Sequence, residues 1–177
     1  MNARELYLLS VKENGIPSGQ YAKLSRKERM VLEERGGKYW LSSQERGKFR
    51  VVLTGGVFDI LHIGHVLTLQ KAKEHGDLLI IVVTTDARVE EMKKRKPVHP
   101  ADYRRAMVAS LKPVDLAIVG CANMMETFTR ISPDTVAFGY DQSPMQLPSG
   151  CKSIHLKEVK ADNALAKTSR VIERLGL

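Results

Sequence analysis

The sequence predicts an α/β fold: a doubly wound, parallel five-stranded sheet preceded by a small basic helical segment. From residue 50 onward, short runs rich in β-branched residues alternate with longer amphipathic stretches, as expected for strands wrapped by helices. Hydrophobic residues make up 43% of the 177 residues, which suffices for one core of ordinary domain size. The first 49 residues follow a different pattern, so we expect two domains, at 1–49 and 50–177.

The predicted strands and helices of the second domain alternate along the chain. The strands lie at 50–54, 78–84, 116–119, 135–138 and 153–156, and the helices at about 64–74, 87–92, 101–111, 123–131 and 163–175. In sheets of this kind, ligands bind at the carboxyl ends of the strands, near the point where the strand order reverses. The loop after the first strand is therefore the first candidate for a functional site.

The pattern of the first domain predicts three small helices followed by a pair of strands. An apolar periodicity over 3–11 predicts a helix, a Gly-Ile-Pro-Ser break follows at 15–18, and two short helical patterns run to Glu34. Gly36 and Gly37 then introduce a strand at 38–41. The order resembles a winged helix-turn-helix, and 11 lysines and arginines stand against 6 acidic residues in 1–50. Nucleic acid is therefore a candidate partner of this segment.

Composition argues against several other classes of protein. No apolar run approaches the ~18 residues needed to cross a bilayer, and the N-terminus lacks the apolar stretch of a secretory signal, so we expect a cytoplasmic protein without a membrane span. Cys121 and Cys151 have no spacing typical of a zinc site. Idle thiols are the favoured interpretation, and a disulfide between them stays open.

The segment from Thr54 to His65, Thr-Gly-Gly-Val-Phe-Asp-Ile-Leu-His-Ile-Gly-His, predicts a phosphate-binding loop between a strand and a helix. Paired glycines allow close approach of the backbone to an anion, and the first amides of the helix point at the same place. Two histidines around one glycine can donate hydrogen bonds to phosphate oxygens as phosphorus becomes five-coordinate. We predict catalysis by His62 and His65 and nucleotide binding by Gly55, Gly56, Val57, Phe58, His62, Gly64 and His65.

This segment resembles the hallmark of the cytidylyltransferase-like nucleotidyltransferases, Gly-x-Phe-Asp-x-x-His-x-Gly-His. The matched positions are Gly56, Phe58, Asp59, His62, Gly64 and His65. The resemblance extends from residue 50 to the C-terminus and implies a Rossmann-like fold that transfers a nucleoside monophosphate to a phosphorylated acceptor and releases pyrophosphate. Many relatives have a small hydroxylated residue at the position of Val57. Any hydrogen bond from that hydroxyl is therefore missing here.

Three further segments supply candidate ligand-binding residues, each with a simpler alternative. A basic cluster near the carboxyl edge of the sheet predicts contacts to the acceptor phosphate or to pyrophosphate, although such runs are commonly solvated: Lys93, Arg95, Lys96, Arg104 and Arg105. In similar proteins the turn holding Tyr140 and Asp141 borders the base and ribose, whereas the alternative is a plain turn aspartate. Thr168 and Ser169 resemble the family's late hydroxyl element for the β- and γ-phosphates, or an ordinary helix cap.

Residues 95–115 and the Gly-Tyr-Asp-Gln turn at 139–142 look closest to the archaeal FAD synthases. That resemblance implies AMP transfer from ATP to FMN, with Mg²⁺ or another divalent cation bridging phosphate oxygens. One alternative is a CTP-dependent cytidylyltransferase acting on glycerol-3-phosphate or a similar polyol or amino-alcohol phosphate. Another is a nucleotide-sensing regulator that binds DNA through residues 1–49. Relatives commonly pair, so a homodimer is also expected.

Overall fold

The computed structural model describes residues 1–121, 123–139, 142, 145–156 and 174. The strands are β1 (Leu32–Arg35), β2 (Lys38–Leu41), β3 (Val51–Gly56), β4 (Leu78–Val83), β5 (Leu116–Val119), β6 (Thr135–Phe138) and β7 (Lys152–His155). The helices are α1 (Ala3–Lys12), α2 (Ser18–Tyr21), α3 (Arg26–Arg29), α4 (Ser43–Arg46), α5 (Ile63–Lys73), α6 (Asp86–Lys93), α7 (Ala101–Ala109) and α8 (Met124–Ile131).

The main sheet has five parallel strands in the order β5-β4-β3-β6-β7, which confirms the predicted doubly wound α/β fold. The strand order reverses at β3, which lies between β4 and β6. Backbone pairing of β3 with β4 runs from Val51 to Gly56, whereas pairing of β3 with β6 covers only Val52 and Leu53. The crevice expected at such a reversal therefore lies at the carboxyl ends of β3 and β6.

The central strands are buried because apolar layers cover both faces of the sheet. β4, with the sequence Leu-Leu-Ile-Ile-Val-Val, is buried over its whole length. Successive residues of β3 alternate between two apolar clusters, with Val51 and Leu53 in one and Val52 in the other. This alternation fixes the register of β3, since a slip of one residue would exchange the two faces.

The boundaries of the elements differ from the predicted ones by a few residues. β3 continues through Gly55 and Gly56, which the sequence assigned to the loop, because both residues pair with β4. The loop therefore begins at Val57. The predicted helix at 163–175 lies outside the described residues, apart from Arg174.

In the first 49 residues the two short helices predicted before Glu34 are present as α2 and α3, but the extension of the helical pattern to Glu34 was wrong. Leu32–Arg35 form strand β1, which pairs antiparallel with β2. Gly36 and Gly37 connect the two strands with φ values of 59° and 77°, the positive values that a two-residue hairpin turn requires. α2 and α3 have four residues each, little more than one helical turn. The likeness to a winged helix stays a prediction.

Helix α1 packs directly on the main sheet. Leu6, Tyr7 and Val11 belong to the same apolar cluster as Val51 and Leu53 of β3. The hydroxyl of Tyr7 donates a hydrogen bond to the Ile131 carbonyl at 2.8 Å. Ion pairs join Arg4 to Asp77 at 2.9 Å and Arg46 to Asp134 at 2.7 Å. The boundary predicted at residue 49 stays a prediction, and a shared core crosses it.

Within the described part of the chain, no helix has both the length and the apolar character that a membrane crossing requires.

Candidate active site

The turn between β3 and α5 brings the predicted phosphate-binding loop to the carboxyl edge of the sheet. Phe58 has a φ of 51°, a left-handed conformation that is unusual for a bulky side chain. Its buried ring lies against Gly56, where an added Cβ would be 3.0 Å from two ring atoms. The absence of a Cβ at Gly56 therefore leaves room for the packing of the Phe58 ring.

His62 and His65 face each other at the start of α5. His62 occupies the N-cap position, Gly64 lies in the first turn, and the two imidazole rings stack with centroids 3.8 Å apart. The backbone N–H of His62 donates to Nδ1 of His65 at 3.4 Å. Because Nδ1 of His65 accepts this bond, the proton of the neutral ring belongs on Nε2, which remains as its donor.

The surroundings of the two histidines favour the neutral form of both. Burial, followed by the nearby His62 and Lys93, lowers the pKa of His65 to about 4, and burial also lowers the pKa of His62. Nδ1 of His62 is buried and has no hydrogen-bond partner among the described residues. A neutral His62 keeps one N–H that can be donated to a ligand.

A buried carboxylate joins the loop to the segment that precedes α7. Asp59 is 1% exposed, and its Oδ2 accepts a hydrogen bond from Arg95 at 2.9 Å. Its Oδ1 accepts the backbone N–H groups of Val98 at 2.6 Å and His99 at 3.4 Å. Asp59 matched the family motif in the sequence but received no role there. In the structure it fixes the basic segment 95–99 against the phosphate-binding loop.

Arg104 was predicted to bind the acceptor phosphate, and its position corrects that assignment. The side chain is 0% exposed, and Nε and both terminal nitrogens donate to protein oxygens. The acceptors are the carbonyls of Val57, Thr84 and His99 and the carboxylate of Asp86. A fully enclosed guanidinium cannot reach a ligand in the crevice. Arg104 instead supports the loop through its bond to the Val57 carbonyl.

The other predicted cations are accessible to different degrees. Lys93 and Lys96 are exposed, and the charge of Lys93 is close enough to contribute to the lowered pKa of His65. Arg95 retains 36% exposure beside its ion pair with Asp59. Arg105 is half-buried, with its Nε 3.7 Å from the carboxylate of Asp102. These four cations remain candidates for contacts to phosphate.

A second set of polar contacts lies where β6 ends. The side-chain amide of Gln142 accepts the N–H of Gly139 and donates to the carbonyl of Gly55, both at 2.9 Å. Nε2 of His155 lies 2.7 Å from the carbonyl of Gly139. The sequence indicates a turn at 139–142 but no role for Gln142, since its partner on β3 is 87 residues away.

Four of the predicted nucleotide-binding residues lie outside the described residues: Tyr140, Asp141, Thr168 and Ser169. The histidine pair, the paired glycines and the basic segment do meet at one edge of the sheet. This arrangement offers neutral hydrogen-bond donors, free helix amides and cations to a phosphate-rich ligand.

Comparisons with known proteins agree with this chemistry. The family model described as Cytidylyltransferase-like matches residues 53–173. An FAD synthase from Thermococcus sibiricus is 38% identical over 141 residues, covering 74% of this chain and 95% of that protein. An FAD synthase from Aciduliprofundum boonei is 41% identical over 133 residues, covering 70% and 89%. The crystal structure of the lipopolysaccharide core biosynthesis protein from Thermoplasma volcanium is similar, with a TM-score of 0.56 and 30% identity, over 63% of this chain and 99% of that one.

Proposed function

Because the chain belongs to the cytidylyltransferase-like family and is a nucleotidyltransferase, we propose that it is an FAD synthase, which transfers AMP from ATP to the phosphate of FMN. The observation that supports this most strongly is the stacked, neutral pair of His62 and His65 at the start of α5, at the edge of the sheet that we propose binds the triphosphate. The FAD synthases at 38% and 41% identity support FMN as the acceptor.

The reaction is one displacement at the α-phosphorus of ATP. An oxygen of the FMN phosphate forms a bond to this phosphorus, and the bond to the bridging oxygen of the β-phosphate breaks. Pyrophosphate leaves with the electron pair. The ring N–H of His62 and Nε2 of His65 donate hydrogen bonds to phosphate oxygens whose negative charge grows in the transition state. A neutral imidazole keeps one N–H, which is enough for this hydrogen bond.

The cations around the loop divide between binding and support. Lys93, Arg95, Lys96 and Arg105 hold the acceptor phosphate or the departing pyrophosphate, because guanidinium and ammonium groups bind phosphate strongly. Asp59 orients Arg95 through the bond at 2.9 Å. By resemblance to the family, Tyr140 and Asp141 border the base and ribose, and Thr168 and Ser169 contact the β- and γ-phosphates.

The described residues contain no group of three or more histidines, cysteines and acidic residues placed to hold a metal ion. The resemblance to the family implies that Mg²⁺ or another divalent cation enters with the substrates. Such a cation would neutralise part of the charge of the pyrophosphate as it leaves.

Three further expectations are proposals that the site does not test. They are a homodimer, a cytoplasmic location and contact of residues 1–49 with nucleic acid. The last is favoured by exposed cations on and beside α3, at Lys23, Arg26, Lys27 and Arg29. A salt-dependent affinity for DNA would support it.

A substrate screen tests the proposed activity. Purified protein is given each of the four nucleoside triphosphates with Mg²⁺, with FMN, glycerol-3-phosphate or no acceptor, and the pyrophosphate released is measured. We expect release with ATP and FMN, together with FAD as the product. No FAD with any divalent cation would overturn the proposed acceptor. Release with CTP and glycerol-3-phosphate would instead identify the cytidylyltransferase alternative.

A further inference from the structure

The strands on the two sides of the crevice lack backbone pairing where they approach the ligand site. β3 continues through Gly56 and β6 through Phe138, but their pairing covers only Val52 and Leu53 with Thr135 and Val136. The carbonyl of Gly56 accepts the N–H of Thr84 on the β4 side. Because successive carbonyls of a strand point to opposite sides, the carbonyl of Gly55 points toward β6, where no backbone donor of β6 pairs with it.

The side chain of Gln142 supplies the bonds that the backbone lacks. Its Nε2 donates to the Gly55 carbonyl at 2.9 Å, and its Oε1 accepts the Gly139 N–H at 2.9 Å. A side-chain amide has the same donor and acceptor groups as a peptide bond. Gln142 therefore spans the gap between the end of β3 and the residue that follows β6.

Gly139 is held from its other side as well. Nε2 of His155 lies 2.7 Å from the Gly139 carbonyl, and His155 pairs with Phe138 through the β6–β7 ladder. Both backbone polar groups of Gly139 thus have side-chain partners. The Gln142 N–H also donates to the Gly139 carbonyl, at 3.1 Å, and the position of Gly139 depends on these contacts because pairing of β6 with β3 has ended by that point.

We propose that Gln142 is a positioning residue that sets the spacing between the ends of β3 and β6 and thereby the affinity for the nucleotide. Gly55 leads into the phosphate-binding loop, and Gly139 leads into the turn proposed to border the base and ribose. The inference rests on the proposed function to the extent that this crevice holds the triphosphate. Chemistry at the phosphorus and binding of the acceptor depend on other residues.

The first test compares Gln142→Ala with Gln44→Ala, a matched change at an exposed glutamine of α4. Loss of two bridging hydrogen bonds should raise the KM for ATP about tenfold, with kcat within about threefold and the KM for FMN unchanged. Gln44→Ala should match the wild type in all three. A loss of kcat with an unchanged KM for ATP would overturn the proposal.

A second variant tests whether the two hydrogen bonds of Gln142, rather than the size of its side chain, determine the affinity for ATP. Gln142→Glu keeps an acceptor for the Gly139 N–H but has no donor for the Gly55 carbonyl, so it should also bind ATP about tenfold more weakly. Wild-type affinity in this variant would contradict the bridging role. If Gln142→Ala does not fold, Gln142→Glu is compared with the wild type in its place.

Two measurements without turnover keep this inference distinct from the proposed function. Calorimetry of ATP binding should show the weaker affinity in both variants, whether or not FAD is ever formed. Amide hydrogen exchange should show faster exchange of the Gly139 N–H in ligand-free Gln142→Ala than in the wild type. If the wild-type protein binds ATP but makes no FAD, only the proposal that FMN is the acceptor is refuted. Equal ATP affinities and equal Gly139 exchange would refute the role of Gln142.

Discussion

Burial of His62 and His65 determines what these residues can do. Their rings stack at 3.8 Å between centroids, and burial lowers the pKa of each. A neutral imidazole has one donor and one acceptor, and the bond from the His62 N–H leaves Nε2 of His65 as its donor. The fold therefore fixes which nitrogen of His65 carries the proton, a choice that the sequence motif alone leaves open.

Substitution of His65 should affect turnover far more than folding. We expect His65→Ala to lower kcat by about 100-fold or more, because the lost hydrogen bond acts mainly in the transition state. His75→Ala, a change at an exposed histidine after α5, is the control and should keep full activity. Steady-state kinetics and thermal unfolding of both variants check this. An unfolded His65→Ala would show instead that His65 is structural.

The lowered pKa of His65 predicts how stability depends on pH. The unfolded imidazole takes up a proton near pH 6.5 and the folded one only near pH 4, so acid stabilises the unfolded chain first. Above pH 6.5, protonation of His65 does not lower the free energy of unfolding. Between pH 6.5 and 4 it lowers this free energy by about 3 kcal/mol, and below pH 4 it causes no further change. Urea unfolding of wild type and His65→Ala over this range measures the difference. Parallel pH profiles of the two proteins would contradict the lowered pKa.

At the scale of elements, the loop between β3 and α5 depends on two buried charges from different parts of the chain. Asp59 lies in the loop and binds the segment 95–99, whereas Arg104 comes from α7 and binds the carbonyl of Val57. Together they join the phosphate-binding loop and the basic segment into one unit. This explains how the turn at Phe58 keeps its left-handed backbone.

Replacement of Arg104 should destabilise the whole protein. Arg104→Met removes the guanidinium donors to three backbone carbonyls and to one oxygen of the Asp86 carboxylate, so we expect a loss of about 3 to 5 kcal/mol in the free energy of unfolding. Arg105→Met, one residue further along α7, removes only a partly exposed ion pair and should cost less than about 1 kcal/mol. Urea denaturation distinguishes them. Equal stabilities would refute the supporting role of Arg104.

The sequence predicted the strand-turn-helix arrangement of the loop between β3 and α5 better than the contacts that support this loop, for a physical reason. Gly56, His62 and His65 lie within ten residues of one another, so a local strand-turn-helix pattern determines their arrangement. The sequence does not distinguish Arg104 from Lys96, because both are cations near the same edge of the sheet. In the structure Arg104 is buried and Lys96 is exposed. The bond from Gln142 to Gly55 likewise depends on the spacing of two distant strands, which no local pattern records.

At the scale of the whole molecule, the first 49 residues share a core with the sheet. Their helix α1 supplies apolar side chains to the cluster that covers one face of β3 and β4. The sequence predicted α1 from its apolar period but extended a helical pattern to Glu34, since leucine and glutamate are common in exposed helices. Pairing with β2 across Gly36 and Gly37 overrides that local preference.

Removal of residues 1–49 should therefore harm the remaining domain. The deletion uncovers the apolar side chains that α1 covers and removes the ion pairs of Arg4 and Arg46, so we expect aggregation or loss of a cooperative unfolding transition. Gel filtration and thermal unfolding measure both effects. Addition of residues 1–49 as a separate peptide should restore part of the soluble protein. A monomeric, active truncated chain would establish an independent domain instead.

The central claim is that this site moves the α-phosphate of ATP, with its adenosine, onto the phosphate of FMN. The most direct measurement follows the label from ATP radiolabelled at the α-phosphorus or at the γ-phosphorus, with unlabelled FMN and Mg²⁺. The account predicts that the α-label appears in FAD and the γ-label in pyrophosphate, and that His65→Ala slows both equally. An α-label that stays in ATP, or a γ-label found in a flavin product, would contradict it.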